Sequence, residues 1–72
     1  MKVISRAELE RLRETYPKGT RVELICMDDE QAPPPGTLGT VLGVDDIGSL
    51  MMAWDNGSGL NVIWQVDTVR KL

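Results

Sequence analysis

The fold is decided by residues 37–57, which read T-L-G-T-V-L-G-V-D-D-I-G-S-L-M-M-A-W-D-N-G. This stretch predicts two strands, Thr37–Val44 and Ser49–Asp55, because both are rich in β-branched or apolar residues. Asp45–Gly48 between them has the composition of a hairpin turn, and Asn56-Gly57 is the strongest short-range signal for a second hairpin. The stretch is therefore typical of an antiparallel meander.

The two strands differ in their detailed pattern. In the second, Leu50, Met52 and Trp54 recur at every other position and share one face, so Trp54 is predicted to anchor the core. In the first, Gly39 and Gly43 interrupt the apolar residues, which suits a bulge or a sharp bend in a small barrel.

Further strands flank this meander. Arg21–Met27 alternates, with Val22, Leu24 and Cys26 on the inner face, so Cys26 is predicted to be a buried structural thiol. Asp28–Gly36 contains three consecutive prolines and is predicted to be a stiff loop. Two short C-terminal segments complete the strands: Leu60–Ile63 as the fourth and Thr68–Leu72 as the fifth, joined by a single helical turn at residues 64–67.

The N-terminal residues predict one short helix. Ser5 followed by Glu8 fits a capping box, in which two side-chain oxygens accept hydrogen bonds from otherwise unpaired amides. Arg6–Thr15 are good helix formers, and Tyr16-Pro17 ends the run. A helix of this length is marginal alone, so it must dock on the strands.

Together these elements predict an all-β fold: a small five-stranded antiparallel SH3-like barrel preceded by one short N-terminal α-helix. The chain of 72 residues holds one domain, with residues 1–18 as a capping helix and residues 19–72 as the barrel. An OB-fold ranks second, because it normally carries a helix between its third and fourth strands.

Charge is distributed unevenly along the chain. Lys and Arg total 8 and Asp and Glu total 11, for a net charge of -3. From Met1 to Arg21 there are six cations and three anions, but from Val22 to Asp67 there are eight anions and no cation. A body without a basic residue is a poor general nucleic-acid binder, because such binding depends on Lys and Arg at the phosphates.

Catalysis, cofactors and a metal site are not expected. Histidine is absent, and with it the commonest general base and metal ligand. Cys26 is the single cysteine, which excludes an internal disulfide and favours a reducing, cytoplasmic setting. The sequence also contains no apolar run of membrane length and no signal peptide.

Three strings, at residues 19–29, 32–48 and 54–61, resemble a small bacterial family of domains of unknown function: G-T-R-V-E-L-I-C-M-D-D, A-P-P-P-G-T-L-G-T-V-L-G-V-D-D-I-G and W-D-N-G-S-G-L-N. The resemblance extends from Ser5 to Asp67. It implies a short N-terminal helix with an SH3-like barrel and an origin often in mobile elements and phages, but no activity, cofactor or catalytic residue. Where the family is expected to place Pro-Gly, this chain has Trp64-Gln65, which marks Trp64 as a local specialisation.

Two features carry the functional prediction. Acidic residues cluster on two loops, Asp28-Asp29-Glu30 and Asp45-Asp46, which could converge to meet a basic peptide or a divalent cation, or could simply be solvated. Four apolar residues, Ile25, Met27, Leu42 and Met51, are predicted to face away from the core. Whatever the helix leaves uncovered would form an apolar patch ringed by acids. Trp64 fits either core or surface.

We therefore expect a non-enzymatic protein-protein interaction module that binds a basic or mixed protein surface, or a second copy of itself. The predicted partner-binding residues are Asp28, Asp29, Glu30, Asp45, Asp46, Met51 and Trp64. One alternative is a nucleic-acid accessory protein that uses basic residues near the chain ends: Lys2, Arg6, Arg11, Arg13, Arg21, Arg70 and Lys71. Another is an acidic mimic that inhibits a host DNA-binding protein. No membrane partner is expected.

Overall fold

The computed structural model describes residues 3–72, so Lys2 of the basic set lies outside it. These residues form one helix and four strands: α1 (Arg6–Thr15), β1 (Arg21–Cys26), β2 (Leu38–Val44), β3 (Leu50–Trp54) and β4 (Thr68–Lys71). The protein is thus mostly a small antiparallel β-sheet with one short helix.

Helix α1 begins and ends where its capping residues predict. Ser5 is the N-cap, and its Oγ accepts a hydrogen bond from the Glu8 amide at 3.1 Å. The Glu8 carboxylate accepts from the Ser5 hydroxyl at 3.4 Å, so the side chains meet each other where a full capping box would use a second amide. None of the helical residues is buried, although Leu12 packs partly against the core. The helix therefore contributes little burial of its own.

A polar clamp adds to the docking of α1. The Arg13 guanidinium donates to the Val44 carbonyl oxygen at 3.3 Å and to Asp46 Oδ1 at 2.9 Å. Tyr16, just beyond the helix, also packs partly against the core. The helix is thus held at the end of the β2–β3 hairpin by one arginine and two partly buried side chains.

The sheet has the strand order β3-β2-β1-β4, and every pair is antiparallel. The register shifts between Val41 and Gly43 in β2, which confirms the bulge predicted from the glycines. A second shift lies between Leu24 and Cys26 in β1. Bulges bend a strand and increase its twist, so the two strands that carry them curve around the core.

The prediction of five strands and a closed barrel needs correction. Within residues 3–72, the segment predicted as the fourth strand forms only an isolated bridge, between Leu50 and Val62. Two residues before Val62, the Leu60 carbonyl oxygen accepts from the Trp54 indole N–H at 2.8 Å, so this carbonyl is bonded to a side chain and not to a neighbouring strand. β3 and β4 are accordingly the two edges of an open sheet.

The core lies on one face of this sheet. Leu50, Met52 and Trp54 are all buried, as the alternation in β3 predicts. The remaining buried apolar residues are Val22, Leu24, Val41 and Val62. Met27, predicted to face away, instead packs partly against this cluster.

Cys26 is exposed, which corrects the prediction of a buried thiol. The reason is the β1 bulge: Leu24 pairs with Val69 and Cys26 pairs with Thr68, so one extra residue separates them. The inward alternation that places Val22 and Leu24 in the core ends at that point.

None of the helices within the described part of the chain is both long and apolar enough to cross a membrane.

Candidate functional site

An apolar groove of about 480 Å³ opens on the surface between the N-terminal segment, the β2–β3 turn and the turn at residues 63–66. Its apolar lining consists of Val3, Ile4, Ile47, Ile63, Trp64 and Val66. Three polar residues complete it: Asp46, Ser49 and Gln65. The volume falls in the range of about 300–1,000 Å³ that is usual for binding sites.

The β2–β3 turn builds one wall of the groove. Its backbone is closed by the Asp45 amide, which donates to the Ser49 carbonyl oxygen at 3.0 Å. The Asp45 carboxylate accepts from the amides of Ile47 at 3.2 Å and Ser49 at 2.8 Å, which is the local bonding that favours Asp in turns. This geometry carries Ile47 to the tip of the turn, where it is 72% exposed.

The N-terminal segment reaches the groove because Gly48 has no side chain. A Cβ atom at Gly48 would lie 2.8 Å from Ile4 Cδ1, closer than carbon atoms approach in proteins. Gly48 also has φ of 88°, a conformation that glycine adopts without strain. The D-D-I-G turn therefore exposes Ile47 at its tip and leaves space at Gly48 for the Ile4 side chain.

The turn at residues 63–66 builds the opposite wall. The amides of Val66 and Asp67 donate to the Ile63 carbonyl oxygen at 3.1 and 3.0 Å. The Asp67 carboxylate in turn accepts from the Ile63 amide at 2.8 Å. Gln65 has φ of 64°, in the left-handed region that favours glycine. The glycine that the resemblance leads us to expect at this position would adopt the same φ without strain.

Trp64 lies at the boundary between core and surface. It is half-buried and lines the groove, and it also lines two smaller hollows beside α1. One hollow brings it near Leu12 and the other near Glu8 and Arg11. The side chain thus separates the helix from the groove.

Ser49 is the buried polar residue of the site, with 2% of its surface exposed. Its amide donates to Asp45 Oδ1, whereas its hydroxyl is in no hydrogen bond within residues 3–72. No side-chain nitrogen or oxygen in that range is both fully enclosed and unpaired, so the Ser49 hydroxyl must retain a small accessible area. Because Ser49 lines the groove, its hydroxyl is a polar group available there.

The predicted acidic residues are used in different ways. Asp46 lies at the groove, with a side chain that is 99% exposed and paired with Arg13, whereas Asp45 is occupied by its own turn. On the other loop, Asp29 Oδ1 accepts from the Gln31 amide at 2.7 Å, and the exposed Glu30 follows it.

The two acidic loops form hydrogen bonds with different parts of the protein. The Asp28 amide donates to Asp67 Oδ1 at 2.8 Å, whereas the β2–β3 turn is tied to α1 through Asp46 and Arg13. Across the described residues, His, Cys, Asp and Glu form no group of three or more that could hold a metal ion. The groove, with Asp46 at its edge, is the better-defined site.

Met51 does not line the groove. It lies on the face of β3 opposite Leu50 and Met52 and is partly exposed, as are Leu42 and Ile25 on their strands. These three residues face away from the core as predicted. Leu12 of the helix and Tyr16 just beyond it pack against the core cluster, on the other face of the sheet.

Folding brings the separated charges together. Arg21 donates to both carboxylate oxygens of Asp55, at 2.8 and 2.6 Å. Arg70 Nε donates to Glu23 Oε1 at 3.1 Å, and Arg13 pairs with Asp46. Three acids of the cation-free body are therefore paired with cations from outside it, and the charge separation seen along the sequence is partly neutralised in space.

The Arg21–Asp55 pair shifts the ionisation of both groups. The hydrogen bonds from Arg21 lower the pKa of the Asp55 carboxyl, and the positive charge of Arg21 lowers it further against a partial desolvation. The same hydrogen bonds raise the pKa of Arg21. Both groups are charged at neutral pH, so the folded state favours the ion pair.

This pair predicts a pH dependence for Asp55→Asn. A lowered folded-state pKa stabilises the fold above the unfolded value of about 3.9, and this contribution is lost as the pH falls through the folded pKa. The variant should be less stable than the wild type at neutral pH, and the difference should shrink below about pH 4. Urea unfolding across the acidic range measures it.

The control for this prediction is the same substitution in an Arg21→Gln background. Without the guanidinium, the pH-dependent part of the difference should disappear. A difference between wild type and Asp55→Asn that is equally large at acidic and neutral pH would contradict the ion-pair explanation.

Sequence reasoning missed most of the groove. Only Trp64 and Asp46 were among the predicted partner-binding residues, whereas Ile47, Ser49 and Val66 were not. One signal could have been used: Ile47 is a large apolar residue inside a hairpin turn, where small polar residues are typical.

The chain belongs to the family described as Domain of unknown function (DUF4314), whose model matches residues 5–72. No curated protein shows a significant match. The same is true of the solved structures.

Proposed function

We propose that this member of a family without an assigned function is a non-enzymatic protein-interaction module that binds an apolar segment of a partner protein in its groove. The observation that supports this proposal is the groove itself, where Ile47 is 72% and Val66 is 53% exposed. Grouped apolar side chains at the surface of a small protein commonly mark an interaction site. The chain has few buried residues, yet Ile47 and Val66 lie outside its core.

The charge at the groove favours a basic partner. Asp46 is the charged residue of its lining, and one of its oxygens accepts from Arg13 while the side chain remains almost fully exposed. A Lys or Arg next to the partner's apolar residues would meet Asp46 there. Charge complementarity of this kind increases the association rate and selects among partners, while the apolar centre supplies affinity.

Nucleic-acid binding is the weaker candidate. Arg13, Arg21 and Arg70, three of the seven cations that would carry it, already bond to carboxylates. The acidic-mimic alternative depends on a mobile-element setting, which is drawn from the resemblance alone. As part of the same proposal, the module works in a bacterial or phage-infected cytoplasm, and its bulged, open sheet is a variant of the SH3-like barrel.

A random-peptide library displayed on phage tests the proposal. We expect the wild-type protein to enrich peptides that combine apolar residues with a flanking Lys or Arg. An enriched peptide, added to isotopically labelled protein, should shift the NMR signals of Ile47, Ile63 and the Trp64 indole. Ile47→Ser removes an exposed wall of the groove without touching the core, so it should weaken the binding by about tenfold.

Leu42→Ser is the matched control, because Leu42 is also an exposed apolar residue but lies on the outer face of the sheet. It should leave peptide affinity unchanged. The proposal fails if nothing is enriched, or if enriched peptides bind both variants equally. It also fails if Ile47→Ser dissociates a wild-type dimer, which would assign the groove to a second copy, or if the protein shifts DNA or RNA at low salt while ignoring peptides.

A further inference from the structure

The groove has a polar group at its floor that the fold itself does not use. Ser49 is 2% exposed and lines an otherwise mostly apolar groove. Its hydroxyl makes no hydrogen bond within residues 3–72 and is not fully enclosed, because no fully enclosed side-chain oxygen in that range lacks a partner. A buried polar group generally has a partner, because leaving it dry and unpaired is costly. A ligand that fills the groove excludes solvent from this hydroxyl, so it must itself provide a hydrogen-bond partner.

We propose that the groove selects a tyrosine of the partner, with the ring against the apolar walls and the phenolic hydroxyl hydrogen-bonded to Ser49 Oγ. This inference rests on the proposed function and names the side chain that the same groove recognises. Ser49 is then its specificity-determining residue.

Tyrosine fits these features better than lysine, the other long amphipathic side chain that the charge at the groove suggests. Its ring is a rigid apolar body, and its one polar atom lies at the far end, where it can reach a buried hydroxyl. A phenol and a serine hydroxyl can each donate or accept, so the pair can form in either direction. A lysine would bring a charge into an apolar environment, which is costly, and its ammonium is better placed at Asp46 on the edge.

The test compares two forms of one peptide on three forms of the 72-residue protein. A peptide enriched on the wild type is synthesised with tyrosine and with phenylalanine at the groove position, and both dissociation constants are measured by calorimetry. On the wild type, tyrosine should bind about tenfold tighter, because phenylalanine leaves Ser49 dry and unpaired. On Ser49→Ala, the two peptides should bind alike.

Leu42→Ser is again the matched control. Leu42 lies on the outer face of the sheet and does not line the groove, so its replacement should leave the ratio between the two peptides unchanged. Ser49→Ala should remain folded, because no intramolecular hydrogen bond of the hydroxyl is lost among the described residues. The comparison of the two peptides on wild type is in any case independent of that variant.

The outcomes separate this inference from the proposed function. If no peptide binding depends on Ile47, both are overturned. If peptides bind the groove but lack tyrosine, or if phenylalanine binds the wild type equally well, only the tyrosine assignment is overturned. A preference for tyrosine that persists in Ser49→Ala overturns the role of Ser49.

Discussion

Replacing Trp54 with alanine is expected to remove a large part of the stability of the fold. Trp54 is 3% exposed at the centre of the core, and its indole N–H holds the Leu60 carbonyl oxygen at 2.8 Å. Removing a buried tryptophan costs about 3–5 kcal/mol. A domain of this length has a free energy of unfolding of about 4–11 kcal/mol in total. The melting temperature should therefore fall by about 20 °C or more.

The matched control is the second tryptophan. Trp64 is only half-buried, so Trp64→Ala should cost about 1 kcal/mol and leave a cooperative unfolding transition. The same variant should lose the peptide binding proposed for the groove, because Trp64 lines it. Urea unfolding followed by far-UV circular dichroism compares the two without relying on tryptophan fluorescence. Equal losses of stability would show that Trp64 belongs to the core.

Gly39→Ala is expected to have the second-largest effect. Gly39 pairs with Trp54 across β2 and β3, and a Cβ atom there would lie 2.5 Å from Trp54 Cε3. It would also lie 3.0 Å from Met52 Cε. The Trp54 ring cannot move aside easily, because it is buried and hydrogen-bonded to Leu60. Overpacking of this kind costs about 3 kcal/mol, so thermal unfolding should occur about 12 °C or more below that of the wild type.

Gly43→Ala provides the control in the same strand. Its new Cβ atom would lie 3.1 Å from Met51 Cε, the flexible end of a partly exposed side chain that can turn away. We expect a change within about 1 kcal/mol, because alanine is also less costly than glycine to order in a strand. If Gly39→Ala were as mild as Gly43→Ala, the close packing of Trp54 on the β2 backbone would be refuted.

The groove illustrates how far sequence reasoning reaches. Trp64 and Asp46 could be proposed as binding residues because an aromatic side chain and an acidic loop can be recognised in the sequence without knowledge of the fold. Ser49 could not be identified, because a serine next to a hairpin turn is ordinary there. Only its burial, with no hydrogen bond to the hydroxyl within residues 3–72, makes it unusual, and burial depends on residues distant along the chain.

The acidic pattern shows the same limit. Arg21 and Asp55 lie 34 residues apart in sequence, yet the antiparallel pairing of β1 with β2 and of β2 with β3 brings their side chains within hydrogen-bond distance. A count of charges along the sequence does not reveal this ion pair, because the pair depends on the register of the strands.

The sequence by itself determined the elements whose causes are local. The capped helix at Ser5, the alternation in β3 and the D-D-I-G turn all depend on residues within a few positions of one another, so their prediction held. The tertiary structure decided what depends on distant partners. The segment predicted as the fourth strand pairs only through the bridge between Leu50 and Val62, and the bulge opposite Val69 and Thr68 exposes Cys26. The tertiary structure also brings Ile47 and Val66 to one groove, because the two turns that carry them are far apart in sequence and meet only after the sheet has folded.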